Sequence, residues 1–340
     1  MENSSNIHYT TLTSNYSFTL FKELSSSVEG NVFASTYSIQ FLLLLLALGS
    51  KSKTNEQLKT VLHLSKDKPP NYENIKAIIT KLEVPGHLTV ANGIFSDKAF
   101  TLSPEYTKNT QKYLNSEVRS VDFSGNPTSG ESEVNKWVNS KTNGKISRIF
   151  KSGDINKDTA LVLASAVHFQ NLWKSPFTNT KNASFCLTAT KHINIKMLHQ
   201  TGHFKYFKDD RYKFSANMTV HNVELDVPKF KFESDLNLEK TMQKLGCTEM
   251  FSPSADFSEL SSSAAGNLRV SSMKHKTYVD VNEDGTEAAA VTGVSIANYN
   301  LEYTQSNIKN VKFHACHPFL FIIKKDKDII FMGRLSDPTA

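Results

Sequence analysis

Ser50 and Lys53 stand three residues apart, the spacing at which a lysine amine can act as base toward a serine nucleophile. The intervening Lys51 and Ser52 are equally polar and the run follows Gly49 at a helix junction, so it reads as a solvated face. His199 with His203, and His314 with Cys316 and His317, offer metal-binding atoms. Neither group supplies an organised tetrahedral set, so core or surface histidines are expected and no metal site is assigned. No Gly-rich phosphate loop is present, and no cofactor is expected. With nucleophile and metal chemistry set aside, the chain carries no sign of an enzyme.

A different capacity lies in 281–300, VNEDGTEAAAVTGVSIANYN, a long segment of small residues near the C-terminus. Gly285 supplies backbone freedom at its start. Beyond it Thr286, Ala288, Ala290 and Thr292 would share one face of an extended chain, with Glu287, Ala289, Val291 and Gly293 on the other. The first set is small enough to enter a packed interior, and the second begins with a charge suited to solvent. Alanine has little preference for strand, so the segment reads as a loop that becomes a strand when a sheet offers hydrogen bonds. The alternative is an Ala-rich helix capped by Thr286.

The segment, with its lead-in Met273-Lys274-His275-Lys276-Thr277-Tyr278, resembles the hinge of the serpin family of protease inhibitors. His317-Pro318-Phe319-Leu320-Phe321 and Phe331-Met332-Gly333-Arg334 strengthen the resemblance. It implies an α+β fold of three mixed sheets and many helices, one domain over 1–340, with a reactive loop at about 283–312 and a hinge from Glu283 to Thr292. It also implies structural roles for Ser35, Ser38, Trp173, His275, His317, Pro318 and Phe319.

The length permits one large domain, and no Pro-rich or Gly/Ser-rich linker divides it. A hydrophobic content of 39% with 21% charged residues describes a soluble globular protein. The net charge of +6 is spread along the chain; it would tolerate weak contact with glycosaminoglycans, and specific nucleic-acid recognition is not expected. The first twenty residues lack the apolar core of a cleavable secretion signal. Cys186, Cys247 and Cys316 are odd in number and far apart, which suits free thiols in a reducing compartment. Sequons at Asn3, Asn15, Asn182 and Asn217 matter only on a secretory route. The start of the chain is similar to the ovalbumin-like, intracellular branch of the family, some of whose members leave the cell without a leader; cytoplasmic or extracellular location is expected.

Hydrophobic spacing predicts a helix over 11–28, with Phe18, Phe21, Leu24 and Val28 inward and Gly30 as its stop. Asn31–Ser35 reads as a short strand, and 41–48 as a buried helix too short for the ~20 residues of a membrane span. Strand 88–95, helix 104–114, strand 118–123, amphipathic helix 131–142 and buried strand 161–169 follow. Against the family pattern, Thr36 replaces a usual proline and Ser165 an asparagine that ties strands together. The larger departure lies near Phe214 to Asn217. There the chain passes almost directly from one sheet segment to another where relatives carry two apolar strands and two helices. Their loss would leave apolar partners wet at about 25 cal/mol per Å².

The resemblance implies a suicide-substrate mechanism, in which cleavage of the loop lets it insert as a new strand while the protease is still acylated. About ten new backbone hydrogen bonds at a net ~1 kcal/mol each would rival a whole domain's stability. Counting from the hinge gives Tyr299-Asn300 as the scissile bond, with Tyr303 or Lys309 as alternatives. A phenol suits the apolar pocket of chymotrypsin-like or cathepsin G-like serine proteases. A cysteine protease is a further target class. The competing reading is a non-inhibitory binding protein or an inactive splice or deletion isoform.

Overall fold

The computed structural model describes residues 4–64, 76–77, 79–80, 87–208, 218–262, 268–286, 308–326 and 328–340, with side chains from 15 onward. It divides into two compact units, each assembled from separate stretches of chain. The first takes 1–169, 232–279 and 320–335; the second takes 170–231, 280–319 and 336–340.

In the first unit the chain opens with α1 (Ser4–Ser27), β1 (Val32–Ala34), α2 (Thr36–Gly49) and α3 (Ser52–Val61). Ser17, Leu20, Phe21 and Leu24 form the buried stripe of α1. Phe18, which the spacing places on the inner face, is 38% exposed, because the stripe runs through its neighbour Ser17. Helix α2 is apolar along nearly its whole length, and every residue in it except Leu48 is buried. Ser35 caps it, its hydroxyl accepting the Ser38 N–H at 3.1 Å. Thr36 fits at the first helical position, its hydroxyl donating to Ser17 Oγ at 2.8 Å.

Next come β2 (Leu88–Asp97), α4 (Pro104–Leu114), β3 (Glu117–Val121), α5 (Pro127–Lys141) and β4 (Leu161–Phe169). Helix α4 has Ser103 as N-cap, Pro104 in its first turn and Asn115 in the left-handed region after it, so local sequence marks both ends. Helix α5 starts four residues before the expected Glu131, because Asn126 accepts the Ser129 N–H. It buries Val134, Trp137 and Val138 with Phe95, Phe123, Phe150, Val162 and Ala164 in one core. Each such large side chain removed from water contributes about 1.5–3 kcal/mol.

The second unit then supplies β5 (Asn171–Leu172), β6 (Asn179–Cys186), β7 (His192–Tyr206) and β8 (Thr219–Pro228). Strand β9 (Phe230–Asn237) leads back to the first unit, followed by α6 (Glu239–Lys244) and β10 (Val270–Val281), whose last two residues belong to the second. The remaining strands are β11 (Gly285–Thr286), β12 (Asn310–His314), β13 (Phe319–Lys325) and β14 (Asp328–Leu335).

These strands make three sheets among the described residues, as an α+β serpin-like fold requires. One runs β1-β14-β13; one runs β3-β2-β4-β10-β11-β5, with β9 also on β10; one runs β12-β8-β7-β6. Strands β4 and β10 are parallel neighbours, with His275 beside Ser165. Strands β7 and β8 form a long antiparallel ribbon from Met197↔Pro228 to Tyr206↔Thr219. The expected junction at Phe214–Asn217 lies outside the described residues, while Tyr206 and Thr219 on either side of it are paired directly. Asn310, Val311 and Lys312 belong to β12, so the loop expected to reach residue 312 ends before residue 310. Among the described residues no helix is long and apolar enough to cross a membrane.

Candidate functional site

The segment expected to form the hinge begins as a tight reversal. Val281 pairs with Thr286, Asn282 donates its N–H to Gly285 O at 2.9 Å, and the Asn282 side chain accepts from the N–H groups of Asp284 and Gly285. This places β11 between the end of β10 and β5, where Gly285 and Thr286 pair with Leu172 and Asn171. Both residues are buried. A Cβ on Gly285 would lie 2.1 Å from Asn171 O and 2.7 Å from Leu172 Cα. Glycine is therefore required here by the close approach of another backbone; its φ is one that other residues adopt, so the freedom expected from sequence is not what the position uses.

Trp173 holds the reversal from the side. Its Nε1–H donates to Asn282 O at 2.8 Å, its backbone N–H to Asp284 O at 2.9 Å, and Phe177 N–H to Glu283 O at 2.9 Å. The Trp173 and Phe177 rings meet edge to face at 5.7 Å. Lys229 Nζ grips both oxygens of Glu283, at 2.7 and 2.9 Å, and this bond holds the Glu283 carboxyl below the usual range.

A second set of expected residues converges inside the first unit. His275 is fully buried; its Nε2 accepts the Ser35 N–H at 3.0 Å, and its Nδ1 faces Ser165 Oγ at 2.9 Å. Ser165 Oγ lies 2.9 Å from Ser38 Oγ, which donates to Asn92 Oδ1 at 2.8 Å. Ser35 Oγ donates to Ile330 O. Burial depresses the His275 pKa to about 3, against a smaller opposing effect of Ser165, so the ring is neutral at physiological pH. Ser165 thus takes a direct part in the polar link between strands, at the position where the resemblance implies an asparagine.

His317 and Pro318 are not buried, and the His317 ring lies 3.1 Å from Pro318 O. Phe319 packs beside Phe185, Ile195 and Met197. Glu287, Ala288, Ala289, Ala290, Thr292, Tyr299, Asn300 and Tyr303 lie outside the described residues. Lys309, the other alternative cleavage position, accepts the Asn222 N–H on its carbonyl at 3.1 Å, next to β12.

A family model described as Serpin (serine protease inhibitor) matches residues 11–217 and 211–338. The chain belongs to the serpin family. Leukocyte elastase inhibitor of Xenopus laevis is 30% identical, the match covering 95% of this chain and 97% of that protein. Iris of Ixodes ricinus is 32% identical over the same shares, and human Serpin B3 is 29% identical, again covering 95% and 97%. Among solved structures, Serpin48 of Tenebrio molitor superposes with a TM-score of 0.87 at 24% identity, covering 99% of each chain. Uncleaved ovalbumin gives 0.83 at 23% identity, covering 96% of this chain and 99% of its own. These relatives accord with the ovalbumin-like serpin expected from sequence.

This serpin has fewer residues than the relatives it aligns with. Its alignment with the Xenopus laevis protein spreads 95% of 340 residues over 377 positions, so roughly fifty positions hold no residue of this chain. The two family-model matches overlap at 211–217, the same stretch at which the sequence departs from the pattern. In the first unit the sheet β1-β14-β13 has three strands among the described residues, and Leu320 on β13 is 61% exposed.

Sequence reasoning missed one cluster in the second unit. Asp226, 1% exposed, lies between His199 on β7 and His314 on β12. Its Oδ1 is 2.7 Å from His199 Nδ1 and 2.8 Å from Lys181 Nζ, and its Oδ2 lies against His314 Nδ1. Burial opposes its ionisation, but the bonds from Lys181 and His199 and the charges of Lys181 and His314 outweigh it, so the carboxyl is held below its usual range. Nearness in sequence groups His199 with His203 and His314 with His317; strand register brings His199 and His314 to the same carboxylate instead.

Proposed function

We propose that this serpin inhibits serine proteases as a suicide substrate, with Tyr299-Asn300 as the scissile bond and chymotrypsin-like or cathepsin G-like enzymes as targets. The observation that carries the reading is the seat of Gly285 and Thr286 between β5 and the end of β10. Gly285 and Thr286 are already paired on both sides, so strand formation can propagate from them without a new nucleus once the ladder between β4 and β10 ahead of them opens. Family membership and relatives named leukocyte elastase inhibitor support the inhibitor class and add elastase to the enzymes worth testing.

In the proposed reaction the protease serine oxygen bonds to the Tyr299 carbonyl carbon. The bond to Asn300 breaks, and Asn300 leaves with a protonated amine. Insertion of 287–298 then traps the ester before water reaches it. The free state of Cys186, Cys247 and Cys316 suits action in the reducing cytoplasm, and extracellular action by leaderless export goes with the same reading. A cysteine protease is a secondary target, and glycosaminoglycan contact a weak one.

The test is incubation of monomeric protein with chymotrypsin, cathepsin G and leukocyte elastase, followed by denaturing electrophoresis and mass spectrometry. A denaturant-stable adduct with a released peptide beginning at Asn300 is expected with the first two enzymes. An adduct cut elsewhere would reassign the bond. Cleavage without an adduct would favour a non-inhibitory binding protein or shortened isoform, a reading for which the roughly fifty positions missing from the alignment speak.

A further inference from the structure

We propose that His199, Glu224 and Asp226, joined by His314, form a binding site for one divalent transition-metal ion of the zinc class, clipping three adjacent strands together. Strand register builds the site. His199 on β7 stands directly opposite Asp226 on β8, and Asp226 directly opposite His314 on β12. Directly opposed residues point to one face of a sheet with Cβ atoms about 4.5–5.5 Å apart. Glu224, two residues before Asp226 on the same strand, shares that face. One ligand atom from each of His199, Glu224 and Asp226 lies within 4.8 Å of the others.

A second observation sets this cluster apart from ordinary surface polarity. Asp226 is almost wholly withdrawn from solvent, yet its Oδ2 accepts no hydrogen bond among the described residues. A buried carboxylate oxygen without a donor is costly, and a bound cation would compensate it. His314 Nδ1 lies against that oxygen without forming a hydrogen bond to it, so its nitrogen stands where a further ligand atom is needed. His199 offers the second nitrogen beside Oδ1.

The donor types select the ion. One imidazole nitrogen and two carboxylates converge at His199, Glu224 and Asp226, and His314, against the other oxygen of Asp226, completes a four-coordinate set of the kind zinc takes. Calcium and magnesium favour more oxygen ligands or octahedral oxygen coordination, so they fit poorly. Lys181 now lends its ammonium to Oδ1 at 2.8 Å, and Lys312 lies 3.4 Å from Glu224. Both lysine side chains are exposed on flexible stems, so each can swing to water as the ion enters. Metal entry requires neutral imidazoles and releases any proton they carry.

The consequence is mechanical. Strand β12 follows the reactive loop and, among the described residues, is held at the edge of its sheet by β8 alone. A metal joined to His314, Asp226 and His199 would tie β12 through β8 to β7.

The test uses the intact chain, stripped with chelator and titrated with CoCl2, then with ZnCl2 in competition. The expected result is one equivalent of cobalt with the visible ligand-field bands of tetrahedral coordination, bleached by one equivalent of zinc. His199→Ala and His314→Ala should each weaken binding about tenfold or more, while His203→Ala leaves it unchanged. His314 is 40% exposed, so His314→Ala should remain folded by far-ultraviolet circular dichroism. Absence of the bands, undiminished binding in both histidine variants, or a thiolate charge-transfer band removed by Cys316→Ser would overturn the site.

Discussion

His275 Nδ1 and Ser165 Oγ face each other at 2.9 Å in a fully buried setting, and one further contact fixes the direction of every proton between them. Because the Ser35 backbone N–H donates to Nε2, that nitrogen has no proton, and Nδ1 must donate to Ser165. Ser165 then donates to Ser38, and Ser38 to Asn92. The chain of donors runs one way from β10 across β4 to β2, with α2 supplying Ser38. Ser165→Ala would leave the Nδ1–H buried without an acceptor. A loss of about 1–3 kcal/mol is expected in the urea unfolding free energy. An unchanged midpoint would show that the hydroxyl carries no stabilisation.

The same histidine makes acid stability predictable. Its folded pKa of about 3 lies below the ordinary 6.5, so below pH 6.5 the unfolded chain takes up a proton that the folded chain refuses. Stability from this group is complete above pH 6.5 and falls with decreasing pH until about pH 3. The slope approaches about 1.4 kcal/mol per pH unit. Urea melts between about pH 7 and pH 5 should show this fall, and His275→Gln should flatten it relative to the parent protein.

Gly285→Ala tests the seat of the hinge. The added methyl meets the Asn171 backbone, which cannot swing aside as a side chain could. Overpacking of this kind costs about 1–3 kcal/mol, or the hinge leaves its place. We expect a lower melting temperature or faster proteolysis near Gly285, together with a higher share of substrate-like turnover in the protease assay. A variant equal to the parent in all three measurements would refute the close approach.

Trp173→Phe keeps the ring against Phe177 and removes only the Nε1–H that reaches Asn282 O. The unpaired carbonyl should cost about 1–3 kcal/mol. Hydrogen exchange at Gly285, whose N–H bonds to the Asn282 side chain, should quicken. Exchange unchanged at that amide would separate Trp173 from the hinge.

Arg334 reports on the C-terminal motif. Its guanidinium donates to the carbonyl of Ser25, which the end of α1 leaves without a helical partner, and to those of Val28 and Gly30 in the turn just beyond the helix. Arg334→Ala should destabilise the protein by at least about 2 kcal/mol, since hydrogen bonds from a charged donor are the stronger kind. Arg334→Lys should recover only part of this, because one ammonium cannot span all three carbonyls. Full recovery by lysine would mean that charge, and not the planar fork, is what α1 requires.

The sequence by itself determined the family, the order of helices and strands, and the place where the chain departs from its relatives. Those features are local. Apolar spacing on α2 and α5, the Ser103-Pro104 start of α4 and the small residues after Gly285 each act over a few neighbouring positions. The tertiary structure alone decided what long-range register controls. It made Ser165 the partner of His275, gave Gly285 its steric reason in the backbone of Asn171, and turned Phe18 toward solvent. It also gathered His199, Asp226 and His314 from three strands into one row. No pattern within one strand contains that row, because a residue's neighbour across a sheet is set by strand pairing and not by distance along the chain.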